Sequence, residues 1–415
     1  MDMRRSVFSV LLAQIYQSKI HSRVIGIMMP FHCALRAVRS GARRYVSAGR
    51  GTNQPESPLR RLVRDASAFG ETNARDGDLA WATQPYAVSD PLRPPAPEAA
   101  DPRDSTILLF PGQGSQYVGM GKCLDTIPTA MELYELASSI VGWDVLRVCR
   151  EGPEEELARR CQTAVLVTSL AAIELARETR RGALERVRAV AGFSLGEVAA
   201  FVFAGVLPLE QALRLTELRA EAMAAAARER AGGMLTLWLA PDARLPALLR
   251  SARDRAVSPA LPDPVCQVAN FLYPGCKVIA GDEQALRWVE REGRAWGVRR
   301  SARVGVAGAF HTPLMARAEA VVRSALEHCT VGAPRVTVVS GVDGKAVSGG
   351  AAARRRLERF TAAPVRWEQT LHALYARPPD TPQPLTLALG PGRALRATLK
   401  QVNARAWDAS VHVDV

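Results

Sequence analysis

From residue 105 onward, short apolar runs alternate with longer stretches of helical period. Thr106 to Phe110 (TILLF) is apolar throughout and ends at Pro-Gly, which predicts a buried strand followed by a turn. Apolar spacing predicts helices over 129–141 and 163–180. Val187 to Phe193 reads as a second buried strand that runs directly into Ser194. Leu195 to Ala204 and Pro208 to Arg230 read as helices, with Pro208 suited to a first turn. Strands alternating with helices predict a mostly parallel sheet.

Gly232-Gly233 breaks this texture. Strands are predicted over 234–240, 265–270 and 276–280, with helices near 243–254 and 282–296. That order suits a small ferredoxin-like unit at 231–303, inserted between two halves of a core at 104–230 and 304–415. The first texture returns with a helix over 313–328 and strands over 336–340 and 385–389.

The N-terminal hundred residues look different. Residues 51–103 are rich in Pro, Ala, Asp and Arg without a sustained period, which predicts a linker. Residues 1–50 hold nine of the 54 basic residues and one of the 41 acids. The other 365 residues carry 45 basic and 40 acidic groups, so most of the +13 net charge sits in one short arm. An Arg-rich, acid-poor, Ser-dotted start predicts a mitochondrial transit peptide at 1–50 and a matrix location. The apolar run Val24 to Leu35 is too short to span a bilayer, which needs roughly 20 residues. Seven scattered cysteines without a C-x-x-C pair argue against a disulfide framework or a zinc site. With 48% hydrophobic and 23% charged residues, the body has a globular composition. No nucleic-acid partner or membrane span is expected.

Four motifs could carry chemistry. Ala191 to Glu197 (AGFSLGE) sets Ser194 in Gly-x-Ser-x-Gly between a strand and a helix. That context suits either a nucleophile elbow or a plain tight turn. A serine needs a base. Of six histidines, His311 in GAFHTPLM follows an apolar run and precedes a proline, at a strand end where functional residues gather. It could equally be structural. Phe110 to Gln116 (FPGQGSQ) follows the first strand and so lies on the same sheet edge as Ser194. Its glycines let backbone N–H groups approach a ligand, but it lacks the Lys and Ser/Thr of a P-loop. Arg219, in TELRAEAM, could be a solvated helix arginine or a bidentate partner for a free carboxylate.

Taken together these motifs resemble the malonyl-CoA:acyl-carrier-protein transacylases, most closely the mitochondrial members. The resemblance runs from about Thr106 to Val415 and includes NFLYPGCKVIAG from Asn270, PVRW from Pro364 and GPGR from Gly390. It implies an α/β-hydrolase-like core with an inserted ferredoxin-like subdomain and the site in the cleft between them. It implies Ser194 as nucleophile, His311 as base, and an oxyanion hole from the N–H groups of Gln113 and Leu195. Arg219 would pair with the malonyl carboxylate, Phe310 would wall the pocket against α-branched acyl groups, and Asn270 would line the cleft.

Malonyl-CoA and acyl carrier protein are the implied partners, with no cofactor, no metal and a monomeric chain. Two positions depart from many relatives. Phe193 stands where His often precedes the serine. Arg366 stands where many bacterial members have Gln, and a guanidinium cannot accept a hydrogen bond. A histidine-orienting group from that position would therefore be the Arg366 backbone carbonyl. Two other classes remain compatible with the residues alone: a serine hydrolase on the same elbow, and a non-catalytic RNA-binding protein on the same fold.

Overall fold

A computed structural model describes residues 105–306, 308–378 and 380–415. The expected transit peptide at 1–50 and linker at 51–103 lie outside the described residues. Within them, five parallel strands form the main sheet. They are β1 (Thr106–Phe110), β2 (Val187–Gly192), β7 (Thr337–Val338), β8 (Leu385–Leu389) and β9 (Ser410–Val413), in the order β7-β2-β1-β8-β9. Every residue of β1 is buried, as a strand covered on both faces requires, and this explains its unbroken apolar run.

Helices cover the sheet: α1 (Pro128–Val141), α2 (Val145–Glu151), α3 (Glu154–Thr179), α4 (Leu195–Phe203) and α5 (Leu209–Glu229). Helix α3 starts well before the predicted 163, because its first turn is Glu-Glu-Glu and carries no apolar signal. Those acids suit a helix N-terminus. Pro208 caps α5 from just outside rather than opening its first turn.

The second sheet is antiparallel. Its strands are β3 (Gly232–Leu239), β4 (Cys266–Tyr273), β5 (Cys276–Asp282) and β6 (Val298–Arg303), in the order β4-β5-β3-β6. Helices α6 (Leu245–Ala256) and α7 (Glu283–Glu292) complete a β-α-β-β-α-β ferredoxin-like unit. Gly232 and Gly233 begin β3 instead of preceding it. A Cβ on Gly232 would stand 2.7 Å from the Gly281 carbonyl oxygen, so the strands meet there only through glycine. The pattern also missed β6, an edge strand reading VRRSAR whose exposed arginines hide its period.

The chain then returns to the core through α8 (Ala316–Glu327), α9 (Gly350–Arg359), α10 (Trp367–Tyr375) and α11 (Ala394–Val402). Three contacts tie the small sheet to the core. Phe271 N donates to Val365 O and Val365 N to Ala269 O, each at 2.8 Å, so residue 365 extends the β4 edge. Lys277 Nζ lies 2.7 Å from Glu368 Oε2 of α10, with both side chains buried. Phe310 and Leu314 pack against Met234, Ala269 and Val278 of the small sheet and against Met223 and Ala226 of α5.

Candidate active site

The sheet register builds the site. Phe110 of β1 pairs with Gly192 of β2, so the loops leaving these parallel strands emerge side by side. The Ser194 backbone is strained, at φ 51° and ψ −105°, and Ser194 caps α4. Only a residue-free crossing permits the turn: a Cβ on Gly192 would sit 1.9 Å from the Gly196 carbonyl carbon. The Phe193 ring turns away, packing edge-on against Trp367 with ring centroids 5.5 Å apart. Its aromatic bulk therefore belongs to the core beneath the serine.

Ser194 Oγ stands 2.8 Å from His311 Nε2. His311 Nδ1 is 3.0 Å from the carbonyl oxygen of Ala363. A carbonyl can only accept, so Nδ1 carries the proton and Nε2 faces the serine with its lone pair. Burial first, and then the positive charge of Arg219, push the imidazole down to about 3. Gln267 Nε2 on β4 donates to the His311 carbonyl at 3.3 Å and fixes the histidine backbone from the other side.

The orienting carbonyl belongs to Ala363, not to Arg366 as expected. Arg366 caps α10: its carbonyl accepts from the Thr370 N–H at 2.9 Å and is committed to the helix. The Arg366 guanidinium instead lies 5.5 Å from the centre of the Phe271 ring. Asn270 is buried on β4, where its backbone pairs in parallel with Val365, two residues beyond Ala363. It stands where the small sheet meets the 363–366 segment of the core.

Arg219 projects from α5 into the same cluster and is 1% exposed. Its Nη2 donates to Ser194 Oγ at 3.3 Å, its Nη1 to Gln162 Oε1 at 2.6 Å and its Nε to Thr361 Oγ1 at 3.4 Å. The Phe360 ring lies 4.4 Å below the guanidinium carbon. Burial lowers the arginine to about 10, which still leaves it charged at neutral pH. Among the described residues it forms no ion pair. A buried cation held only by neutral groups is costly unless an anion completes it.

The FPGQG loop closes the cluster. A Cβ on Gly112 would lie 2.3 Å from the Phe193 carbonyl oxygen, so this loop rests directly on the elbow. Among the described residues, neither the Gln113 nor the Leu195 N–H donates to a backbone carbonyl of a turn, cap or loop. Phe310, next to His311, packs against the cluster of Met223, Ala226, Met315 and Ala318.

Sequence reasoning missed two residues. Gln162, on α3, donates from Nε2 to Gln113 Oε1 at 3.3 Å while accepting from Arg219, and so links the loop to the cation. Its signal was a polar residue inside the apolar run 161–173. Glu197 is 2% exposed, one turn beyond Ser194. Burial raises its carboxyl to about 7.

A serine on a strand–turn–helix elbow, an imidazole fixed by a backbone carbonyl and a buried cation beside the serine form an arrangement suited to acyl transfer. The family model for the acyl transferase domain matches residues 107–382. The chain is 42% identical to a probable mitochondrial malonyl-CoA-acyl carrier protein transacylase of Drosophila melanogaster, over 79% of this chain and 86% of that one.

The chain belongs to the malonyl-CoA-acyl carrier protein transacylase family.

The human mitochondrial member is 39% identical over 77% of this chain and 83% of its own. Among solved structures, a malonyl-transacylase in complex with a type II PKS acyl-carrier protein superposes with a TM-score of 0.65 at 31% identity. That match covers 75% of this chain and 96% of the other. An acyl carrier protein S-malonyltransferase from Vibrio cholerae gives 0.66 at 29% identity, with 75% and 97% covered. Like them, this family member is an acyltransferase with a mixed α/β fold.

Proposed function

We propose that this acyltransferase moves the malonyl group of malonyl-CoA to the phosphopantetheine thiol of an acyl carrier protein through a malonyl ester on Ser194. The observation that carries the reading is Arg219, a buried guanidinium without a carboxylate partner among the described residues, 3.3 Å from the serine hydroxyl. A thioester whose acyl group ends in a carboxylate supplies the missing anion and brings its carbonyl to the nucleophile. An acetyl group leaves the buried charge uncompensated, which disfavours it by several kcal/mol.

In the first half-reaction Ser194 Oγ attacks the thioester carbon and its proton passes to His311 Nε2. The N–H groups of Gln113 and Leu195 receive the developing oxyanion. The C–S bond breaks and His311 returns the proton to the CoA sulfur. In the second half-reaction the carrier thiol gives its proton to His311, its sulfur attacks the ester, and Ser194 recovers its proton. Phe310 narrows the pocket against α-branched acyl groups, and Asn270 holds the cleft edge beside the base.

The relatives' mitochondrial names and the cationic residues 1–50 support a role in mitochondrial fatty acid synthesis, in the matrix. Intact-mass spectrometry after mixing with malonyl-CoA tests the reading. The expected result is one malonyl adduct on Ser194, absent in Ser194→Ala and discharged by a holo-carrier protein. Rapid release of free malonate without a carrier would establish a hydrolase instead.

A further inference from the structure

The nucleophile and the base come from distant parts of the chain, yet a closed ring of contacts joins them beneath the site. Glu197 N donates to Ser194 O at 2.9 Å, so the glutamate rides one helical turn behind the serine. Its Oε2 accepts from the Gly341 N–H at 3.1 Å, and its Oε1 accepts from the Ser340 hydroxyl. The Gly341 carbonyl accepts from the Arg366 N–H at 2.7 Å. Three residues upstream, the Ala363 carbonyl accepts from His311, whose other nitrogen returns to Ser194. Gly341 is also wedged under the elbow: a Cβ there would lie 3.3 Å from Glu197 Oε2 and 3.7 Å from the Gly192 carbonyl oxygen.

We propose that Glu197 is a positioning residue whose buried carboxylate locks the serine-bearing helix to the 363–366 segment and so sets the Ser194–His311 distance. The proposal rests on the acyl-transfer reading only in taking Ser194 as nucleophile and His311 as base. Deleting the carboxylate leaves the Ser340 hydroxyl and the Gly341 N–H without their buried acceptor. The loop at 340–341 must then shift to find other partners, and the Arg366 and Ala363 backbone follows it. A displacement of about 1 Å at the Ala363 carbonyl is enough to misalign the imidazole and the serine. Arg219 touches this ring only through Ser194 Oγ and makes no hydrogen bond to Glu197, Ser340 or Gly341, so the grip on the malonyl carboxylate is expected to change little.

The test separates serine activation from malonyl recognition by using a neutral organophosphate alongside malonyl-CoA. Phosphorylation of Ser194 by diisopropyl fluorophosphate reports the serine–histidine pair without calling on a substrate carboxylate for Arg219 to bind. Glu197→Ala is expected to slow both this reaction and Ser194 malonylation at least about tenfold while leaving KM for malonyl-CoA within about threefold, as misplacement of a catalytic pair should.

Glu197→Gln keeps one acceptor for Gly341 and gains an amide that can donate to the Ser340 hydroxyl oxygen, so it should stay within about threefold of the wild type. Unchanged rates in Glu197→Ala, or equal losses in the Ala and Gln variants, overturn the proposal. Should Glu197→Ala not fold, Ser340→Ala takes its place. Ser194 reactivity lowered about threefold or more supports the ring, and unaltered reactivity refutes it. A wild type inert to the organophosphate would remove the nucleophile reading itself, whereas a reactive wild type with a reactive Glu197→Ala variant removes this inference alone.

Discussion

Arg219 Nη2 lies 3.3 Å from Ser194 Oγ on a guanidinium that is 1% exposed. The cation thus sits at the serine hydroxyl itself, and under the proposed mechanism it is within reach of an acyl group attached there. Gln162, Thr361 and the Phe360 face hold it from the sides, and all three are neutral. The energetic consequence is a site incomplete until an anion arrives.

The His311 imidazole gives a pH prediction. Its folded value, pushed down to about 3 by burial and by Arg219, lies below the ordinary 6.5. The unfolded chain therefore binds the proton more readily between these values. Its contribution to stability is intact above pH 6.5 and is lost as pH falls toward 3, at up to about 1.4 kcal/mol per pH unit. Activity follows the same group: the base stays neutral through the mildly acidic range. Serine acylation measured from pH 8 down to pH 5 should show no falling limb centred near 6.5. A limb there that persists in Glu197→Gln would mean that the histidine is solvated in the working enzyme, whereas one that vanishes in that variant belongs to the Glu197 carboxyl, raised by burial to about 7.

The Ala363 carbonyl, and neither the carbonyl nor the side chain of Arg366, meets the His311 ring. Arg366→Gln should therefore keep kcat within about fivefold of the wild type, since exposed or half-buried side chains away from the reacting atoms contribute little to the barrier. Steady-state kinetics on the variant decide this. A loss of a hundredfold would show that the guanidinium on Phe271 holds the 363–366 segment in place.

Much of this organisation was legible in the chain. TILLF is a fully buried strand because a central parallel strand is covered on both faces, and the run into Ser194 is buried from Val190 to Gly192, which leaves a clear apolar trace in both. The elbow, His311, Gln113 and Arg219 could each be singled out by a motif, and the fold brings them together. The missed parts share a physical reason. Strand β6 and helix α9 (GAAARRRLER) are arginine-rich, so their exposed faces mask the buried one. Glu197 and Gln162 lie inside apolar helical runs, where a polar residue gains meaning only from partners far along the chain. The Ala363 carbonyl is backbone, and no residue identity could announce it.

The buried pair Lys277–Glu368 joins the small sheet to helix α10 of the core across 2.7 Å. Removing one partner strands the other charge in the interior, so Glu368→Gln or Lys277→Met should each destabilise the protein by about 3–5 kcal/mol. The double variant Lys277→Met/Glu368→Leu should recover much of that loss, because no charge is left unpaired. Urea melts of the three proteins measure it. Additive losses in the double variant would show that the pair is not coupled.

Selection of the acyl group by Arg219 is tested most directly by competition. Equal concentrations of malonyl-CoA and acetyl-CoA are mixed with the protein, and the adducts on Ser194 are counted by intact-mass spectrometry. Wild type should carry malonyl almost exclusively. Arg219→Ala should lower the malonyl-to-acetyl ratio by about a hundredfold or more, as losing a desolvated charge pair of about 3 kcal/mol requires. A wild type that takes up acetyl as readily as malonyl, or a ratio unmoved by Arg219→Ala, would contradict the account.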